Sequence, residues 1–173
     1  MSENILYFAY GSNLNQEDLN DWKAKKSEWR NTDLTLNKKS IGFLSGYRLG
    51  FTRTSPRRKD MGVADIVPSD DPMSKVWGVI FSLTPAQDRA IAAKEGSPTA
   101  YRPIAIGVTD VHGSKQCCLT YQAVVQGEKS RKATHFEPDD HYINVIQLGG
   151  QQHQLPSEFS EHLKMASKGA WVV

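Results

Sequence analysis

The chain is short of the residue patterns that mark several functional classes. Of its 173 residues only Cys117 and Cys118 are cysteines, and they are adjacent. Neighbouring cysteines rarely bridge each other without backbone strain, and on a strand they face opposite ways. No disulfide framework is expected, and the pair fits a reducing compartment. The five histidines, His112, His135, His141, His153 and His162, include no pair at His-x-His or His-x-x-x-His spacing, and no Cys-x-x-Cys occurs. A metal site is therefore unsupported by the residues present. No apolar run approaches the roughly 18 residues of a membrane helix. The start, Met1-Ser2-Glu3-Asn4, has neither a basic leader region nor a cleavable apolar segment, and reads as that of an unexported, cytoplasmic chain. A formal net charge of +2 is close to neutral and gives no general electrostatic case for nucleic acid. There is no internal repeat and no low-complexity tract.

What is present is an ordinary globular composition, long enough for one domain with a proper core and short of what two normally need. Residues 1–173 are read as a single domain. Its organising stretch is Tyr7-Phe8-Ala9-Tyr10-Gly11-Ser12-Asn13-Leu14, an aromatic, strand-like run that stops abruptly in Gly-Ser-Asn. Gly and Asn tolerate φ > 0, so such a turn can aim successive backbone N–H groups into one concavity, a nest for an anion or a developing oxyanion. The same three residues also make ordinary strand-ending turns.

Further on, Asn15 with Asp18 signals a helix start, with Leu14, Leu19 and Trp22 near helical spacing. Lys23 to Lys26 read as a solvated face or loop. Ile41 to Phe51 suggests one long, bent strand around Gly42, Gly46 and Gly50. Arg53, Arg57, Arg58 and Lys59 fall in a Ser/Pro-containing turn. Gly62 to Val67 and Val76 to Leu83 are short, apolar and β-branched, as strands bounded by turns should be. Thr84 as N-cap and Pro85 at the first helical position open a helix to Lys94, which ends at Glu95-Gly96 with Gly96 as the usual terminator. Tyr101 to Val111 and Gln116 to Val125 read as a β-hairpin. After a polar loop come a helix over Asp139 to Leu148 and another from Pro156 through Met165. The order defines an α+β fold with a mixed, mostly antiparallel sheet.

Glu95 is the one carboxylate in a telling place. The helix dipole disfavours a negative charge there, and most such residues are simply solvated. Partly buried, its pKa would rise toward that of a general base. Tyr101, Tyr121 and Tyr142 stand near element boundaries, as pocket residues or as core aromatics with satisfied hydroxyls.

With these motifs in order and at these spacings, the sequence resembles the gamma-glutamylcyclotransferase family over nearly its whole length. Residues 7–14 look like the family's N-terminal binding loop. Gly46-Tyr47-Arg48-Leu49-Gly50-Phe51, Gly62 to Pro68 and Val76-Trp77-Gly78-Val79-Ile80-Phe81 match successive strands. Glu95-Gly96-Ser97-Pro98-Thr99-Ala100-Tyr101 matches the segment carrying the catalytic glutamate, and Pro138 to Tyr142, Gly149 and Leu155-Pro156 follow the C-terminal helical part. The resemblance implies a mixed sheet or small barrel with flanking helices. It also implies cyclisation of a γ-glutamyl amino acid or amine to 5-oxoproline, with no metal and no organic cofactor. Glu95 would be the catalytic base. The N–H groups of Gly11, Ser12 and Asn13 would hold an anionic oxygen, and Tyr10, Leu14, Tyr101, Tyr121 and Tyr142 would complete the substrate pocket.

The implied partner is a small γ-glutamyl molecule, with neither nucleic acid nor membrane involved. Oligomeric state stays open, a homodimer being one option. The chain departs from the family where Ile91-Ala92-Ala93-Lys94 precedes the glutamate. Lys94 is expected to point to solvent; turned inward, it would lower the Glu95 pKa. Trp22 to Lys39 matches no family motif and flanks the mouth, so the leaving group, amino acid or amine, stays open. The alternative on the same fold is a non-catalytic small-molecule binding module. The basic turn at 53–59 is short and lacks interleaved aromatics; it reads as a solvated loop rather than a nucleic-acid surface.

Overall fold

In the computed structural model, which describes residues 3–171, the apolar runs close into a five-stranded barrel. In chain order the elements are β1 (Ile5–Ala9), α1 (Gln16–Ala24), β2 (Asn37–Ser45), β3 (Tyr47–Ser55), β4 (Met61–Pro68), β5 (Lys75–Leu83), α2 (Pro85–Lys94), β6 (Tyr101–Asp110), β7 (Lys115–Ala123), α3 (Glu128–Ala133), α4 (Asp140–Gln152) and α5 (Ser157–Ser167), with short 3-10 turns at Ser12–Leu14 and Pro56–Arg58. The barrel order is β1-β5-β2-β6-β7. Every pairing is antiparallel except the closing one, where β1 and β7 meet in parallel at Tyr7 and Leu119. β5 sits between β1 and β2, and its Val79, Ile80 and Leu83 are wholly inaccessible, as its near-continuous apolar run requires. The expected α+β class, with a mostly antiparallel small barrel and flanking helices, is what the chain builds.

The expected single strand over Ile41 to Phe51 is corrected. Gly46 adopts φ +78°, a left-handed conformation that ends one strand and redirects the chain into another. β2 stays in the barrel, while β3 leaves it to pair with β4 in a separate two-stranded ribbon. The break is held at its base, where the Gly46 amide donates to the Ser74 carbonyl and the Gly46 carbonyl accepts from the Ser69 amide, both at 2.9 Å.

Helix entries follow their capping residues. The Asn15 side chain accepts from the Glu17 and Asp18 amides, and Thr84 forms a reciprocal capping box with Gln87. The polar loop before Asp139 contains a helix the sequence pattern did not reveal, α3. It is anchored by Arg131, whose guanidinium pairs with the fully buried Asp65 of β4 and donates to the Ala123 carbonyl at 2.9 Å. α4 continues past Leu148 because Gly149 lets it lie directly on the first loop: a Cβ there would stand 2.7 Å from Leu14 Cβ. Cys117 is exposed and Cys118 buried, on opposite faces of β7, and both are free.

Candidate active site

Two stretches far apart in sequence meet at one end of the barrel. The first is the loop leaving β1. Gly11 sits at φ −120°, so of the two readings of this tripeptide the left-handed conformation is not used: the loop curls as a 3-10 turn, closed by the Leu14 amide on the Gly11 carbonyl at 3.1 Å. At the head of such a turn the first amides have no partner within it, and here these belong to Ser12 and Asn13. The second is the end of α2, where Glu95 is the C-cap and Gly96, at φ +62°, turns the chain away.

The two are joined side chain to side chain. Asn13 Nδ2 donates to Glu95 Oε1 at 2.7 Å and to the Tyr7 hydroxyl at 2.9 Å. Burial pushes the Glu95 carboxyl above its ordinary pKa; Lys94, the Asn13 hydrogen bond and Arg57 oppose that rise without cancelling it. Around the carboxylate lies a narrow chamber of about 30 Å³ lined by Tyr7, Tyr10, Gly11, Ser12, Asn13, Ala64, Glu95, Tyr101, Tyr121 and Tyr142. Every candidate named from the sequence is in it except Leu14. That side chain is 1 % exposed in the core, against Gly149, and lines no part of the chamber.

The tyrosines divide by where their protons go. Tyr10 donates to the Tyr121 carbonyl at 2.5 Å and Tyr101 to the Ala64 carbonyl at 2.6 Å, so both O–H groups are committed to backbone. Tyr142 instead accepts from the Ala64 amide at 3.0 Å, which leaves its own proton available to the chamber. Its pKa is pushed up to about 12 by burial, so it is a neutral donor at physiological pH. Burial likewise raises Tyr121, whose hydroxyl makes no protein hydrogen bond among the described residues. Tyr7 was missed by the sequence reading. In a strand of adjacent buried aromatics nothing distinguishes it from core until Asn13 is seen to reach it.

Outside the chamber a wider cavity of about 660 Å³ shares Ser12, Glu95, Tyr101 and Tyr142 with it. Both segments of uncertain role line this mouth: Trp22, Lys25, Lys26 and Trp29 on one side, Arg53, Arg57 and Arg58 on the other. The basic turn is thus solvated only in part: Lys59 is exposed, whereas Arg58 turns inward. Arg58 is 9 % exposed, bonds Asp18 at 2.9 Å and lies 4.8 Å from the centre of the Tyr142 ring. Lys94 is corrected as well. Its side chain is 3 % exposed and reaches inward to Asp18 at 3.1 Å. Burial works against the Asp18 charge, yet Lys94, Arg58 and Arg57 hold that carboxyl down at about 2. Among the described residues no group of His, Cys, Asp or Glu is arranged to hold a metal ion.

A small closed barrel with a glutamate-bearing chamber at one end is the gamma-glutamylcyclotransferase-like fold. The solved structure of a gamma-glutamyl cyclotransferase superposes on it with a TM-score of 0.72 at 25 % identity, over 94 % of this chain and 87 % of that one. YkqA from Bacillus subtilis shares the fold with a TM-score of 0.73 at 24 % identity, over 96 % of this chain and 55 % of that one. The model of the AIG2-like family matches residues 75–163, from β5 into α5 and including Glu95. The chain is also 28 % identical over 168 residues to the gamma-glutamylcyclotransferase of Bos taurus, covering 93 % of this chain and 78 % of that protein. The chain belongs to the AIG2-like, or gamma-glutamylcyclotransferase, family.

Proposed function

We propose that the protein cyclises a γ-glutamyl amino acid to 5-oxoproline and releases the free amino acid. The observation that carries the reading is a part-buried carboxylate, Glu95, held by Asn13 beside the head of the Ser12–Leu14 turn. In the reaction the substrate's α-ammonium gives a proton to Glu95, and the freed amine attacks its own γ-carbonyl carbon. The carbonyl oxygen becomes an oxyanion, received by amides such as those of Ser12 and Asn13. Collapse breaks the bond to the leaving nitrogen, which takes that proton from Glu95. The attacking nitrogen then gives up its second proton, through Glu95, to the departing amine, which leaves as an ammonium while the ring closes as a neutral lactam. The nucleophile belongs to the substrate, so the protein's work is to hold an extended chain folded on itself. In the best intramolecular cases such positioning is worth roughly 7–11 kcal/mol. Tyr142 and Tyr121 fit as neutral donors to the glutamyl unit, and Tyr10 and Tyr101 as walls.

The lining of the mouth supports this choice of leaving group. Lys25, Lys26, Arg53 and Arg57 line it, while among the described residues its only acidic lining residues are Glu28 and Glu95. That excess of positive charge favours a departing group with its own carboxylate, hence an amino acid over a simple amine.

The test is 5-oxoproline release from γ-glutamyl-alanine by the wild type and by Glu95→Gln. The substitution keeps size and removes the base, so kcat should fall about 10²–10⁴-fold with little change in KM. Equal turnover by the two would remove Glu95 from the mechanism. No turnover by the wild type across a panel of γ-glutamyl compounds would leave a binding module on this fold.

A further inference from the structure

We propose that Lys94 is a positioning residue: its ammonium locks the Asn13 side-chain amide in the one orientation that donates to the Glu95 carboxylate. The proposal rests on Glu95 acting as the base. An ammonium has three N–H donors, and Lys94 Nζ has three acceptors: Asp18 Oδ2 at 3.1 Å, Asn13 Oδ1 at 2.6 Å and Ser12 Oγ at 3.3 Å. With its oxygen taken by the lysine, the Asn13 amide turns both N–H bonds the other way, to Glu95 Oε1 at 2.7 Å and the Tyr7 hydroxyl at 2.9 Å. Flipped, the amide would set its NH₂ against the ammonium and its carbonyl against the carboxylate, two repulsive contacts in place of two attractive ones. Lys94 thus removes a two-fold choice that a side-chain amide otherwise has.

Direct contact is not the route. Adjacent residues on a helix do not face each other; no ion pair joins Lys94 to Glu95, so beyond the through-space pull of its charge the lysine acts on the carboxylate through a residue of the opposite loop. The lysine is itself fixed from behind. Asp18 of α1 accepts from Arg58 at 2.9 and 3.0 Å and from Arg57 at 3.3 Å, so the carboxylate facing Lys94 is held from both sides. Charged and titratable groups facing the Lys94–Asn13–Glu95 chain are Asp18 from α1, Arg57 and Arg58 from the 3-10 turn after β3, Tyr7 and Tyr10 from the first strand and its loop, and Tyr101, Tyr121 and Tyr142 across the chamber.

A double-mutant cycle tests the route. Lys94→Met and Asn13→Ala are made singly and together, and each is read by turnover of γ-glutamyl-alanine and by carboxyl ¹³C titration of Glu95, assigned through its loss in Glu95→Gln. In the wild-type background Lys94→Met should lower kcat about tenfold or more while KM moves less than about threefold. It should also raise the Glu95 titration midpoint. In the Asn13→Ala background the same substitution should cost less than about threefold in kcat, and its effect on the midpoint should shrink. Equal effects in both backgrounds, or no effect in the first, would overturn the proposal. Lys94→Gln, which removes the charge but keeps an N–H donor, replaces Lys94→Met should that variant not fold. The titration needs no turnover. If the wild type released no 5-oxoproline, the failure would fall on the reaction assigned above, and the midpoints would still decide the role of Lys94.

Discussion

Glu95 lies under opposing influences: its burial favours the neutral acid, while Lys94, Asn13 and Arg57 favour the carboxylate. Burial wins, so the group binds its proton more tightly than an ordinary glutamate. In the proposed role of base, Glu95 works only when ionised. kcat/KM should therefore fall as pH drops through a limb whose midpoint lies above 4.5, the ordinary glutamate value, and the limb should disappear in the residual activity of Glu95→Gln. A pH–rate profile from about pH 4 to 8 checks this, and a midpoint below the ordinary value would show that the surrounding cations dominate instead. Much of this site was legible in sequence because its parts are contiguous: Gly11, Ser12 and Asn13 in one tripeptide, Glu95 and Tyr101 in one segment. What escaped was charge. Arg58 and Lys94 read as solvated and Asp18 only as part of a helix start, because a single charged residue carries no sign of its partner. These three come from separate elements and become a buried cluster only in the folded chain.

At the scale of elements, the site depends on packing that the local pattern announces unevenly. α1 and α2 declare themselves through Asn15 and Thr84, whose side chains satisfy the first amides of each helix. α3 does not, being six polar or small residues too short for a hydrophobic period. Its reason to exist is tertiary. Arg131, 2 % exposed, meets Asp65, which also accepts from Thr52 Oγ1 at 2.7 Å and from the Ala123 amide at 2.9 Å. One buried ion pair thereby ties α3 to β4 and the end of β7, one residue from the Ala64 peptide that holds Tyr101 and Tyr142. Replacing Arg131 by Met leaves that carboxylate buried without its counter-charge, which typically costs about 3–5 kcal/mol. Urea unfolding of Arg131→Met should show a loss of that order; a loss under about 1 kcal/mol would mean that Asp65 is satisfied by neutral donors alone. The divided strand at Gly46 escaped for a related reason. Alternation identifies a strand, but nothing in it says whether the next residues stay in the same sheet.

For the molecule as a whole, a net charge of +2 conceals an uneven distribution. Barrel closure and the β3–β4 ribbon bring Lys25 and Lys26 from the end of α1, Arg53 from β3 and Arg57 from the 3-10 turn after it to a single mouth, with Glu95 at its inner edge. Arg53 forms no ion pair among the described residues and is only partly exposed, so its charge is left to act on whatever enters. A cation at a partly dry wall attracts an anion at low salt and loses that pull when the screening length contracts to about 3 Å at 1 M. γ-Glutamyl-alanine keeps a carboxylate on its leaving group, while γ-glutamyl-ethylamide has the same scissile bond and none. The first should therefore show the higher kcat/KM, by about tenfold at low ionic strength, or about 1.4 kcal/mol. The ratio should approach one at 1 M salt and should narrow in Arg53→Ala, with the difference carried by KM because the contact lies away from the reacting atoms. A ratio unmoved by both salt and Arg53→Ala would mean that the mouth selects by shape, through the stacked Trp22 and Trp29 that line the same wall.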